Sequence, residues 1–310
     1  MAAFEPAYRG LLRAGELKQR VSQAYKRLEA CDLCAWECGI DRRAGKLGVC
    51  RSGVRARVCS YGAHMGEEDP LRGWRGSGTI FFARCNLRCQ YCQNHDISQS
   101  DSGEEVEVED LAAIMLELQR SGCHNINFVS PSHVVAPILA AVLIAAQAGL
   151  RIPLVYNTGG YDSLAALELL DGVIDIYMPD MKYSDPKIAR RYSKIPHYPQ
   201  TNSAAVREMY RQTGDLQLNE DGLAQRGLLL RHLVLPNDLA GSRGILEFIA
   251  REISTITYIN IMDQYYPAYK AVQYPELNRR ITREELQAVY QVAHELNLHR
   301  LDKRRGRLRF

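Results

Sequence analysis

The chain has no apolar run long enough to cross a bilayer. Its longest, 134–150, is interrupted by Pro137 and Gln147 and predicts a buried helix. Net charge is small: 39 Lys and Arg stand against 36 Asp and Glu, leaving +3, too little to draw the chain to nucleic acid or to a membrane surface. The N-terminus, Met-Ala-Ala-Phe-Glu-Pro, lacks a basic stretch followed by an apolar one. No secretory signal is read, and the expected location is cytoplasmic. No repeat of 20 to 50 residues is present beyond an alternation of strand and helix. Cysteine is nearly absent after residue 92, where only Cys123 occurs, whereas eight of the nine cysteines lie between residues 31 and 92. In an unexported chain such bunching predicts metal ligands rather than disulfides.

What is present describes a globular α/β chain. At 310 residues, 46% hydrophobic and 24% charged, it can bury a full core in one domain with an extension. Residues 1–30 read as helical, with Leu11, Leu12, Leu17, Val21, Tyr25 and Leu28 near helical spacing, packing outside the main domain. From residue 78, apolar β-branched runs at 79–83, 125–129, 153–157, 174–178, 228–235 and 257–262 alternate with helical stretches. The helices fall at 108–121, 134–149, 163–170, 185–193 with 203–213, and 242–254. This pattern predicts a parallel sheet covered by helices. About six units fall short of a closed eightfold barrel, so an open partial barrel is expected. A last amphipathic helix, 281–296, has Thr282 as N-cap with Glu285 three residues on. Residues 195–227 are polar and predict a loop over the barrel mouth. The boundaries so read are an extension at 1–77, the barrel at 78–300 and a basic tail at 301–310, a disordered end with anion or nucleic-acid contact as the minority reading.

The organising stretch follows the first of those strands. Cys85, Cys89 and Cys92 have C-x3-C-x2-C spacing with Tyr91 before the last cysteine. Three soft thiolates on one tight loop suit three irons of a 4Fe–4S cube, and no cysteine follows before Cys123 to close the fourth corner. Upstream, Cys31, Cys34, Cys38 and Cys50 form C-x2-C-x3-C-x11-C on a loop broken by Gly39, Gly45 and Gly48. That spacing fits an all-thiolate zinc site, a second iron–sulfur cluster, or a set of buried free thiols. Cys59 has no assigned role, and Cys123 reads as a core thiol. The linker His64-Met-Gly-Glu67-Glu68-Asp69-Pro70 reads as an acidic turn, or as a segment that brings His64 and Glu67 to a substrate.

The cysteine loop resembles that of radical S-adenosylmethionine (SAM) enzymes, and within them the activating enzymes of glycyl-radical enzymes such as pyruvate formate-lyase. The resemblance implies a partial (β/α)6 barrel of the radical SAM type, here with a cysteine-rich N-terminal extension. It implies oxidoreductase chemistry in which SAM occupies the open iron and is reductively cleaved to a 5′-deoxyadenosyl radical, with a ferredoxin or flavodoxin as reductant.

Ligands of parallel α/β sheets sit beyond the carboxyl ends of the strands, so those ends carry the remaining candidates. Ser130 and Ser132 stand where the activases have a Gly-Gly-Glu stretch for the SAM ammonium group. Asn157 and Thr158, followed by two glycines, resemble the Asp-Thr-Asn-Gly turn near the SAM ribose, with the acid replaced. Asp180 and Lys182, two apart on an extended segment, project the same way and match the Asp-x-Lys motif. Arg231 matches the strand arginine that meets the SAM carboxylate, for which a guanidinium is a bidentate partner. His232 would face the other side of that strand. Gln264 stands in place of a SAM-contacting histidine, and Tyr91 flanks the cofactor.

The hydrogen donor is left with two readings, a backbone glycine of a glycyl-radical enzyme or a small molecule such as an epimerised sugar. A third, non-enzymatic reading is a zinc-binding or electron-transfer module.

Overall fold

The computed structural model describes residues 4–302. Its strands are β1 (Ala56–His64), β2 (Ser77–Phe82), β3 (Glu104–Val106), β4 (Ile126–Val129), β5 (Leu154–Thr158), β6 (Ile176–Pro179), β7 (Gln217–Leu218), β8 (Ala224–Leu233) and β9 (Tyr258–Met262). The six apolar runs picked out by sequence are β2, β4, β5, β6, β8 and β9. They pair in chain order, each parallel to the next. Helices Val108–Arg120, Val135–Gln147, Leu164–Leu170, Pro186–Ser193, Tyr198–Thr213 and Ser242–Phe248 lie between them. The sheet does not close: β1, not β9, takes the free edge of β2. The fold is an open α/β partial barrel.

The Val135–Gln147 helix is apolar nearly all round, so it must be covered on both sides. Helix Val108–Arg120 packs on one side of it, and the N-terminal helices Ala7–Ala14 and Glu16–Arg27 pack on it as well. Those two helices therefore form an outer cover of the barrel. Tyr8 OH donates to Ile152 O (3.0 Å) and Ala7 N to Asp175 Oδ1 (2.8 Å), tying the cover to the ends of β5 and β6. Pro137 is tolerated because it falls in the first helical turn, where its missing N–H has no partner to lose. The closing helix Arg283–Glu295 has the expected reciprocal cap: Glu285 N donates to Thr282 Oγ1 (3.2 Å) and Thr282 N to Glu285 Oε2 (2.8 Å).

Two segments differ from expectation. The extension contributes antiparallel strands: β1 pairs with β2 and β3 with β1. β1 carries Ser60, Tyr61 and Gly62, mostly exposed, so its strand character comes from the ladder with β2 rather than from its own residues. The 195–227 stretch is not a loop over the mouth. Most of its first half is the helix Tyr198–Thr213, with Tyr198, Asn202, Ala205, Val206 and Met209 buried at helical spacing. Pro199 at its first turn and the polar Gln-Thr-Asn-Ser that follows conceal that face. Leu301 and Asp302 join β9, Asp302 N donating to Ile259 O (2.8 Å). The rest of the basic tail, 303–310, lies outside the described residues.

The linker 64–72 turns inward. Leu71, on the short helix Asp69–Arg72, packs with Val155, Ile176, Met178 and Leu229 to form an apolar floor inside the barrel. Glu67 and Glu68, both buried, sit just before it.

Candidate active site

β2 ends at Phe82, and the chain reverses at Arg84, whose φ of 66° is left-handed. Arg84 is held there by its N–H to Ile97 O (3.0 Å) and its Nε to Asp101 Oδ1 (3.0 Å). The cysteine loop that follows docks on the end of helix Pro186–Ser193: Arg88 N donates to Ser193 O (3.1 Å) and Gln90 N to Tyr192 O (2.7 Å). Each thiol has a polar neighbour. Leu87 N donates to Cys85 Sγ (3.4 Å), Ser193 Oγ to Cys89 Sγ (3.0 Å), and Cys92 Sγ lies 3.1 Å from Ser98 Oγ. Burial pushes the Cys89 thiol up to about 12 and raises that of Cys85, while the Lys182 charge opposes both shifts. Such thiols stay protonated until a metal displaces the proton.

The loop opens on a cavity of about 230 Å³ at the carboxyl ends of the strands. Cys85, Cys89, Cys92 and Tyr91 line one side, and Ser130, Asn157, Thr158, Asp180, Lys182, Arg231 and Gln264 line the rest. Ser132 is not among its lining residues. It is buried behind the turn, its Oγ 3.0 Å from Thr158 Oγ1. The cause is the backbone at Ser130, left-handed at φ 59°, with Ser130 N bound to Asn157 O (2.9 Å). That turn presents Ser130 to the cavity and Ser132 to the interior. Thr158 Oγ1 is committed to Asp162 Oδ2 (2.7 Å), a buried carboxylate that also takes Tyr156 OH (2.9 Å) and braces this corner.

The charged corner is a linked set. Asp180 accepts Lys182 Nζ on Oδ2 (2.5 Å) and Arg231 Nε on Oδ1 (2.9 Å). Arg231 Nη2 also donates to Asn157 Oδ1 (2.6 Å), and its Nη1 lies 4.0 Å from Glu67 Oε2. Burial alone would raise the Asp180 carboxyl, but Arg231 and Lys182 outweigh it and hold it below the usual carboxylate range. Two cations sharing one aspartate keep N–H donors free to grip a further carboxylate. Gln264 Nε2 donates to Met262 Sδ (3.4 Å), and Gln93 Nε2 to Gln264 O (3.0 Å), joining the cysteine loop to the end of β9. His64 is on β1, edge-on to Phe81, while His232 is fully buried between Met181 O (2.8 Å) and Ser242 Oγ (2.9 Å).

Sequence reading missed a hydroxyl chain behind the loop. Tyr183 OH donates to Tyr91 OH (2.7 Å) and lies 2.7 Å from Ser193 Oγ, the group bound to Cys89. Ser193 and Tyr183 belong to a helix and a strand-end loop far along the chain, and no local spacing marks them. Tyr198 OH, donating to Asp180 O and Gly159 O (both 2.9 Å), fixes the far side in the same way.

The donors fit a cube better than a mononuclear ion. Among the described residues, no three Cys, His, Asp or Glu side chains converge to hold one metal ion. A 4Fe–4S cube takes one thiolate sulfur per iron. All three loop donors are soft sulfur, and the hard cationic pair stands apart from them, where a bound amino acid's carboxylate would lie.

Residues 79–213 match the Radical SAM superfamily. The uncharacterized protein MJ0674 of Methanocaldococcus jannaschii is 30% identical over 291 residues, 91% of this chain and 79% of that protein. Among solved structures, the radical SAM methyltransferase TsrM of Kitasatospora setae, with cobalamin and a 4Fe–4S cluster bound, is similar with TM-score 0.43 and 15% identity. The match covers 61% of this chain, but this chain spans only 37% of TsrM. SuiB of Streptococcus suis is similar with TM-score 0.45 and 11% identity, covering 71% of this chain and 46% of its own. TYW1 with a lysine–pyruvate adduct bound gives TM-score 0.42 and 9% identity, covering 70% of this chain and 73% of its own. Enzymes of the matched superfamily use a 4Fe–4S cluster and SAM, the two groups that the thiol loop and the charged corner fit. Residues 79–213 are a radical SAM superfamily domain.

Proposed function

We propose that this enzyme takes a hydrogen atom from a backbone glycine of a protein partner, as glycyl-radical enzyme activases do, with a ferredoxin or flavodoxin supplying the electron. The observation that carries this reading is the lining of the cavity. The cysteine loop and the charged corner, the groups that a cluster and SAM would take, supply much of its polar wall. A hydrogen donor then has to be presented at the rim, as an extended chain can do. Tyr266 and Val272 are exposed on the segment after β9, and Lys270 N of that segment donates to Gln90 O in the cysteine loop (2.9 Å).

When bound, the cluster and SAM supply a one-electron cleavage and a hydrogen-abstracting radical. The protein's residues supply position. Cys85, Cys89 and Cys92 would hold the cluster, and Lys182 with Arg231 would clamp the methionine carboxylate, Asp180 keeping both cations aimed. Asn157 and the Ser130 turn offer acceptors for the ammonium and ribose. Leu87, Val129, Leu233 and Met262 add apolar wall among the polar groups, which helps to keep water from the reacting centre.

The test is electron paramagnetic resonance of an anaerobic mixture of reduced enzyme, SAM and pyruvate formate-lyase or another glycyl-radical enzyme. A glycyl doublet that appears with deoxyadenosine in equal amount supports the reading. Deoxyadenosine formed only when a small metabolite is added, with no glycyl signal from any such enzyme, refutes it.

A further inference from the structure

Residues 31–53 form a compact loop with one feature that their own polypeptide does not balance. Arg42 is 2% exposed. Its guanidinium donates to Gly53 O (Nε, 3.0 Å) and His133 O (Nη1, 2.9 Å), and Nη1 lies 3.7 Å from Cys31 Sγ. Among the described residues it has no carboxylate partner. A buried cation without a counter-anion is costly, and the ionisable side chain in contact with it among the described residues is the Cys31 thiol.

Four thiols are gathered there. Cys31 N donates to Ile40 O (2.9 Å), Gly39 N to Cys31 O (3.0 Å) and Glu37 N to Cys34 O (2.9 Å), folding the C-x2-C-x3-C segment back on itself. Cys38 Sγ lies 3.9 Å from Cys31 O. A Cβ at Gly48 would stand 2.8 Å from Cys38 Sγ, so that position must be bare for the loop bearing Cys50 to close over the others. Backbone N–H groups of Trp36 and Ile40 face the sulfurs of Cys34 and Cys38. None of the four is in a disulfide. The group also adjoins the first loop. Arg88 donates from one nitrogen to Cys85 O (2.8 Å) and from the other to Val49 O, the residue before Cys50, and Trp36 Nε1 donates to Asn86 O (2.7 Å).

We infer that Cys31, Cys34, Cys38 and Cys50 hold a second 4Fe–4S cluster, with Arg42 as the buried counter-charge to its thiolates. The quartet's loop is bonded to the first cysteine loop through Arg88 and Trp36, a juxtaposition that suits a redox-active cube better than zinc, which has no redox chemistry. Formation needs iron and sulfide from an external assembly source, and the four cysteine protons leave to solvent.

Iron and acid-labile sulfide in the full chain purified without oxygen test this directly. The expected result is about 8 of each per chain, two cubes, in the native protein and about 4 of each in the Cys85→Ala/Cys89→Ala/Cys92→Ala variant. A native content near 4, with none left in the triple variant, overturns the inference. So does one zinc per chain in that variant. Because the native stoichiometry needs no substitution at the quartet, misfolding of a Cys34→Ala variant cannot rescue or sink the result.

Discussion

Arg231 and Asp180 meet across the parallel β6–β8 pairing, Nε to Oδ1 at 2.9 Å, with Lys182 on the other oxygen of the same carboxylate. The pair stands at the strand ends, where the barrel opens on the cysteine loop. One aspartate thus aims two cations at one place.

Replacing Arg231 with Met should weaken SAM binding by about 2–5 kcal/mol, roughly 30-fold or more in Kd, because a charged hydrogen bond to the ligand is lost and Asp180 is left short of a partner. Anaerobic calorimetry reads the Kd, and iron content should stay at the native value. Unchanged affinity would remove Arg231 from the site.

Ser193 donates to Cys89 Sγ within the hydroxyl chain that ends on Tyr91. Hydrogen bonds to cluster sulfurs favour the reduced, more negative state. Ser193→Ala should lower the potential of the SAM-binding cluster. A bond worth about 1 kcal/mol corresponds to roughly 40 mV for one electron. Redox titration followed by electron paramagnetic resonance checks this, and Tyr183→Phe should produce a smaller shift of the same sign.

Gly160 has φ 75°, and a Cβ there would come within 2.3 Å of Asp180 O and closer still to the Asn202 side chain. Both the conformation and the space exclude a side chain. Gly160→Ala should cost about 3 kcal/mol or more, read by chemical denaturation, and should weaken SAM binding through displacement of Asp180.

His133 is buried between Arg42 and Ala83 O, and burial drives its pKa down to about 3, with the Arg42 charge adding to the effect. The folded protein therefore carries it neutral while the unfolded chain protonates it near 6.5, so stability is lost as pH falls below that value. Its contribution to the slope approaches about 1.4 kcal/mol per pH unit. His133→Gln should flatten the loss between pH 6 and pH 4. Asp175, raised to about 7 by burial, acts in the opposite direction over the same range and stays in place in this comparison.

Much of the barrel could be read from the chain because its evidence is local. Six apolar runs and the helices between them carry their own periodicity, and the C-x3-C-x2-C group needs only one loop. Asp180 and Lys182 were legible for the same reason, being two residues apart on one extended segment. What escaped depends on distant pairing. β1 is a strand because β2 offers it a ladder. Ser132 looks equivalent to Ser130 until the left-handed turn at Ser130 sends it inward. Ser193 and Tyr183 acquire their place only when the end of helix Pro186–Ser193 meets the cysteine loop, a contact about a hundred residues apart in the chain that no spacing rule anticipates.

Release of 5′-deoxyadenosine from SAM by the dithionite-reduced, oxygen-protected protein, compared with its Cys89→Ala variant, bears on the central assignment most directly. The native chain should release it, and the variant, with one thiolate fewer to hold the cube, should release none above background. Release that persists in the variant, or a native protein that binds zinc at this loop and leaves SAM intact, would contradict the account.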